Sequence, residues 1–416
     1  MKKFLTMFLI AAVALVSGLF APKSAEAIPA FARQMQVPCF SCHYQYIPKL
    51  NAFGREFLLG GYSQAAQELI SDGEHLSIPP VLNAAFVAKF RYWQDTNYPA
   101  STGAKIGKER GVLRLPDEAS LLVGGRVGEN MGALVEFPMD ATSGTQKFVY
   151  SKDFGGVRGG LTAYGTGGGN AANSMELFNT GAVTTRKQFE NRNATSALQA
   201  TGGPSAEGAA SGIHVFAGSD LFFANLGLWG PAKAIGSDTI DTGLGGLSTY
   251  YRLAVTPKVA DGVDLMVGII GAAGKTTLGV ASTATALATT KDIKTDSMAI
   301  DFQVQTEVAG MSLEVTGAYI TVKGESDANA AWNTGSNDQK GMDVKASLGL
   351  SKSAGVKFAY LALDSGAATA NTKSAFTLGG WYDLAQNVGL HLEYSMWSGD
   401  ARTQDNNLVL LFEFAF

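Results

Sequence analysis

Cys39-Phe40-Ser41-Cys42-His43 holds both cysteines of the chain and is the group of residues with the most specific chemistry. Residues at i, i+3 and i+4 share one side of a helical turn, so two thiols can form thioethers with porphyrin vinyl groups while the imidazole meets the iron. This is the attachment pattern of a c-type haem. A structural disulfide and a redox-active Cys-x-x-Cys use the same residue types. The separation is short for a structural disulfide, and no thioredoxin-like alternation of strands and helices surrounds the pair. A zinc site would need further Cys or His, and the chain has four histidines in total. The expectation is one covalently attached haem c, with His43 as proximal ligand to the haem iron. The sixth position is open between Met35 before the motif, His75 after it, or no ligand. His214 and His391 fall in strand-like segments and read as histidines facing an aqueous lumen.

The surroundings of the motif limit what kind of protein holds it. Of 416 residues 46% are hydrophobic but only 16% are charged, where a soluble domain carries roughly 25%. Beyond the first 27 residues no apolar run is long enough for a membrane helix. The net charge of -4 offers no basic footprint for nucleic acid. Lys2 and Lys3, the apolar stretch Phe4 to Phe20 and the small-residue site Ala25-Glu26-Ala27 predict a secretory signal over 1–27, cut before Ile28. Its removal leaves an exported, more acidic chain.

Residues 28–80 then form a monohaem cytochrome segment, mostly helix and loop, too short to bury a substantial core unaided. From about Val81 to Phe416 the chain reads as an all-β, antiparallel outer-membrane β-barrel. Met298, Ile300, Phe302, Val304, Thr306 and Val308 alternate with Ala299, Asp301, Gln303, Gln305 and Glu307, which gives a strand with one greasy and one wet side. Ala309-Gly310 turns it into a second strand starting at Met311. Short turns are also expected at Gly128-Glu129-Asn130, Pro257 to Gly262, Ser351 to Gly355 and Ala385 to Val388. Longer polar loops are expected at Ala141 to Ser211, Gly274 to Asp296, Lys323 to Gly341 and Ser398 to Asn406. Leu408, Leu410, Phe412, Phe414 and Phe416 make an apolar stripe ending on Phe, similar to the terminal strand of bacterial outer-membrane proteins. About fifteen segments can be picked out, and an even count of about 16 strands allots roughly 21 residues to each strand and its loop. Lipid supplies no hydrogen-bond partners, so such a sheet must close on itself, with the haem segment packed in or on its lumen. Asp301, Glu307 and Glu314 face that lumen and read as solvated residues. The run Gly165-Thr166-Gly167-Gly168-Gly169 lacks the strand-to-helix setting of a phosphate loop and reads as loop composition.

The stretch Pro29-Ala30-Phe31-Ala32-Arg33-Gln34, the haem motif, Pro48-Lys49-Leu50-Asn51-Ala52-Phe53-Gly54-Arg55-Glu56-Phe57 and Gly60-Gly61-Tyr62 together resemble the N-terminal signature of fused monohaem cytochrome-porins of iron-oxidising bacteria, the outer-membrane iron oxidase family. The resemblance implies an oxidoreductase in the outer membrane that takes electrons from extracellular Fe(II) and passes them to a periplasmic c-type cytochrome or another soluble carrier. Cys39, Cys42 and His43 carry over directly. The family's distal ligand does not transfer to a position here. Two alternatives stand beside this reading. One is a conduit for another donor or for outward electron flow, and the other is a haem-free diffusion porin with an N-terminal plug.

Overall fold

The computed structural model describes residues 29–66, 68–71, 75–97, 110–139, 144–231, 246–280, 289–325 and 335–416. The expected signal, 1–27, lies outside these. Among the described residues, sixteen strands form one closed antiparallel barrel in which chain neighbours are sheet neighbours throughout. The first strand, Ala84–Asn97, pairs with the last, Gln404–Ala415, placing Phe90 opposite Phe412 and Tyr92 opposite Leu410. Aromatic pairs reinforce this seam: the Phe90 and Phe414 rings lie 5.3 Å apart, and the Phe86 and Phe416 rings 5.4 Å apart.

The two-residue alternation explains the wall. In Ser297–Val308, Asp301, Gln303 and Gln305 are buried inward while Met298 and Ile300 stand outward. Around the outside, Ile213, Val215, Leu226, Leu228, Leu253 and Ile300 are each 48–60% exposed. A belt of that kind is costly in water and suits a hydrocarbon layer. No helix among the described residues is long and apolar enough to cross a membrane. The molecule is an outer-membrane-type barrel.

Among the described residues, the barrel turns of two to four residues, at 129–130, 154–157, 219–221, 309–310, 350–353 and 386–387, fall at one end. Ala309 and Gly310 both take positive φ, 52° and 75°, the mirror-image turn whose twist matches that of paired strands. In outer-membrane barrels the short-turn end is periplasmic. Two expected loops contain strands. Thr145–Asp153 and Arg158–Thr166 are barrel strands within the stretch expected as a loop from Ala141 to Ser211, and their small and polar residues had hidden the alternation of Phe148, Tyr150 and Leu161 outward. Lys275–Val280 and Thr289–Lys294 pair with each other beyond the barrel, inside the stretch Gly274 to Asp296.

Two segments fill the lumen. The first is the chain ahead of the barrel, with helices Pro29–Met35 and Ala52–Leu59 and a 3-10 turn over Cys39–Ser41. The second runs between Arg158–Thr166 and Ala210–Gly218, folds inward, and is buried at every residue from Gly169 to Ala182.

Candidate functional site

The site starts from a single turn of chain. The amides of Cys42 and His43 both donate to the Cys39 carbonyl, at 3.1 and 3.0 Å, which gathers the two cysteines and the histidine on one turn. Cys39 is buried and Cys42 half-buried, and both are thiols. Beyond the turn the chain doubles back, pairing His43 with Leu50. His43 Nδ1 lies 3.1 Å from the Lys49 carbonyl. A carbonyl only accepts, so Nδ1 carries the proton and Nε2 presents its lone pair, the arrangement a metal-bound histidine takes from its outer shell. Burial pushes His43 down to about 4, against the opposing Lys49 and Pro48 carbonyls, so the ring is neutral at neutral pH. Burial also raises the Cys42 thiol. Two thiols one helical turn apart and an imidazole with its outer nitrogen tied back fit the donor set of a c-type haem.

Helix Ala52–Leu59 clamps this turn. Asn51 caps the helix by accepting from the Gly54 amide at 3.0 Å, while its Nδ2 donates to the Ser41 carbonyl at 3.0 Å. A side chain at position 54 would bring its Cβ 2.2 Å from the Cys42 carbonyl, so only glycine lets the helix lie so close. Phe31 stacks on Tyr62, with centroids 4.9 Å apart, and meets Phe57 edge-on at 5.3 Å. Gln34 donates to the Tyr62 carbonyl at 2.7 Å and accepts from Asn83 at 2.9 Å. The residues that carry the family resemblance are thus the packing of the segment itself.

The segment is seated at the short-turn end. Tyr44 donates to the carbonyls of Thr306 and Leu313, at 2.7 and 3.0 Å, one on each side of the Ala309-Gly310 turn. Lys49 pairs with Glu314 at 2.8 Å, and Arg55 pairs with Asp264. Burial lowers the Lys49 amine and Glu314 opposes this. A cavity of about 1090 Å³ opens beside the segment, between Tyr44, Asn51, Phe53 and Glu56 on one side and Gln305 and Glu307 on the other. Cys39, Cys42 and His43 do not line it.

The residues proposed for the sixth position lie in different settings. Met35 is half-buried against the cluster that contains Phe57, Leu59 and Tyr62. His75 is exposed on the stretch leading to the barrel. The lumen itself corrects the reading of a watery interior. Asp301 and Glu314 are not solvated: Asp301 grips Arg252 at 2.6 Å, and Glu314 holds Lys49 together with Asn179 at 2.7 Å and Gln305 at 2.6 Å. Glu307 is exposed at the mouth. His214 and His391 are buried as well, and His214 Nδ1 lies 2.7 Å from Ser174 Oγ of the inward segment. The lumen is filled with protein, which alternation along single strands does not reveal. The Gly-rich run begins that filling: Thr166 Oγ1 accepts from the Gly169 amide at 2.8 Å as the chain bends inward.

No family model and no curated protein matches the chain. Among solved structures, the loop L8 deletion mutant of OmpT, an outer membrane protein of Vibrio cholerae, is similar with a TM-score of 0.48 at 14% identity, over 80% of this chain and 99% of its own. An anion-selective porin from Comamonas acidovorans gives a TM-score of 0.47 at 13% identity, over 81% of this chain and 99% of its own. The outer membrane channel DcaP of Acinetobacter baumannii gives 0.44 at 10% identity, over 80% and 96%. The fold is established by the closed sheet itself.

Proposed function

We propose that this outer-membrane barrel is an electron conduit. Its N-terminal segment would bear one haem c on Cys39 and Cys42, with His43 as a ligand to the haem iron, accept electrons from extracellular Fe(II), and deliver them to a periplasmic c-type cytochrome or another soluble carrier. The observation that carries the reading is the Cys39–His43 turn, with Nδ1 of His43 held by the Lys49 carbonyl, seated in the barrel mouth. When bound, such a group supplies reversible one-electron chemistry at its iron. The chain's own residues have simpler tasks. Cys39 and Cys42 tether, His43 presents Nε2, and Asn51 and Gly54 brace the turn. The wall insulates, and the short-turn end opens to the compartment of a periplasmic partner. Fe(II) as donor rests on the resemblance of residues 29–62. Its oxidation moves one electron and needs no nucleophile or base.

The test is to express the full chain alongside a cytochrome-maturation system. The expected protein retains haem stain after denaturation, loses it on Cys39→Ala/Cys42→Ala, and is reduced from its oxidised form by Fe(II). A colourless protein sinks the reading. A haem-loaded protein inert to Fe(II) but reduced by another donor keeps the conduit and replaces the donor.

A second reading is a haem-free porin whose N-terminal segment is a plug. It is favoured by the barrel and by the seating of the segment through Lys49, Arg55 and Tyr44, none of which needs a cofactor. It predicts ion conductance in lipid bilayers and no haem stain.

A further inference from the structure

The cavity at the short-turn end gathers residues from remote parts of the chain. Its wall joins helix Ala52–Leu59 to the turns around 154–157, 219–221 and 256–263 and to the end of strand Ser297–Val308. Charge is uneven around it. Arg55 pairs with Asp264, and Lys258 with Asp220 at 3.3 Å. Among the described lining residues this leaves Glu56, Asp153, Asp261 and Glu307 exposed at the opening against Arg158 alone. Carboxylates around a cleft focus a negative field into it and draw in a cationic body before contact. Phe53 marks that body as a protein: it lies on the same wall and is 39% exposed, and an apolar centre within a charged rim is the anatomy of a protein interface. Arg55 adds a vacancy of its own. It is 9% exposed on the cavity wall, and its Nη1 is buried with no acceptor. A loop entering the cavity brings backbone carbonyls to it.

We infer that this cavity is the docking groove for a soluble periplasmic carrier with a lysine-rich face, which inserts a loop over Phe53. Its role rests on the electron conduit proposed above, to which it adds the chemistry of the partner and the place where it binds. The helix that lines the groove also clamps the Cys39–His43 turn. Asn51 belongs to the cavity wall and donates to the Ser41 carbonyl at 3.0 Å, so a docked carrier stands one side chain away from the turn. Electron-transfer partners meet through small, weak interfaces, and complementary charge sets the rate at which they meet.

The experiment measures binding of a lysine-rich cytochrome c to the full-length barrel in phosphatidylcholine nanodiscs, where both ends are open to solvent. Binding is expected at low salt, falling steeply as salt screens the charges, and is expected to vanish when the lysines of the cytochrome are succinylated. Glu56→Gln/Asp261→Asn/Glu307→Gln is expected to lower the affinity at least tenfold. All three side chains are exposed, so the fold does not rest on burying them. Asp338→Asn/Asp400→Asn, at the opposite end of the barrel, is expected to leave the affinity unchanged. The inference is overturned if the unmodified barrel does not bind, if the triple variant binds equally well, or if the far-end variant loses as much. Binding is read with or without haem in the barrel. A colourless barrel that binds in the expected pattern sinks the conduit and keeps the groove, whereas a haem-loaded barrel that Fe(II) reduces but that does not bind keeps the conduit and overturns the groove. In the haem-loaded triple variant the second-order rate of carrier reduction is expected to fall at least tenfold with the haem spectrum unchanged, and an unchanged rate also overturns the groove.

Discussion

Both fillings of the lumen are tied to the wall, but by different groups. The N-terminal segment packs Phe31 on Phe57 and Tyr62, which share one cluster with Met175, Leu177 and Phe178 of the inward segment, and it reaches the barrel through long side chains, Tyr44, Lys49 and Arg55. The inward segment contains helices of six residues or fewer, and much of what holds it is its own backbone, given to wall side chains such as Glu393, Asp343 and Gln303. The first behaves as a small domain in a socket, the second as part of the wall folded inward. The Cys39–His43 turn is held within the first, since the hydrogen bonds that shape it come from residues 39–51.

The two meet directly at Leu50 with Asn179 and at Tyr46 with Gln188, and Glu314 of the wall joins them, since it binds Lys49 of one and Asn179 of the other. Glu314→Ala leaves the Lys49 amine buried without its charge partner, and removing one partner of a buried pair costs roughly 3–5 kcal/mol. Protease is expected to cut within 29–66 much faster, with the inward segment losing exchange protection near Asn179. If only one segment responds, the junction is not shared. The wall itself offers the next contrast. Leu226→Lys puts a charge on the lipid face, at a cost of about 2–4 kcal/mol near the midplane, and should depress folding into lipid vesicles while leaving the protease pattern of the folded fraction unchanged. Gly54→Ala tests the internal core of the N-terminal segment. Its Cβ would strike the Cys42 carbonyl, and overpacking of this kind costs about 1–3 kcal/mol. Thermal melting of the segment, followed by exchange of its amides, should drop while the inward segment stays protected. The smallest effect is expected from Tyr44→Phe, which removes a hydroxyl bonded to carbonyls on both sides of the turn and should cost about 0.5–1.5 kcal/mol, seen as modestly faster exchange around Tyr44.

The parts legible from residue order share a reason. Cys39, Cys42 and His43 are neighbours in the chain, so their relation is set by one helical turn. The greasy and wet faces of Ser297–Val308 follow from a repeat of two, and the Ala309-Gly310 turn from local backbone preference. Strands Thr145–Asp153 and Arg158–Thr166 are hard to read because Lys147, Ser151, Thr162 and Thr166 face inward and the glycines of the second read as loop. Alternation puts Asp301, Glu314, His214 and His391 on the inward face but does not give their surroundings. Each faces inward as alternation requires, but whether it meets water or protein depends on residues such as Arg252, Lys49 and Ser174 that are remote in sequence.

Local order alone therefore determined the single turn that gathers Cys39, Cys42 and His43, the alternation of the wall and the need for the sheet to close, because each follows from spacings of a few residues and from the lack of hydrogen-bond partners in lipid. Only the tertiary structure decided that the lumen is full, that the segment after Thr166 folds inward, and that Glu314 and Glu393 hold it there. Those outcomes depend on pairing buried charges and backbone groups across the barrel, and the partners of such pairs are selected by closure of the sheet.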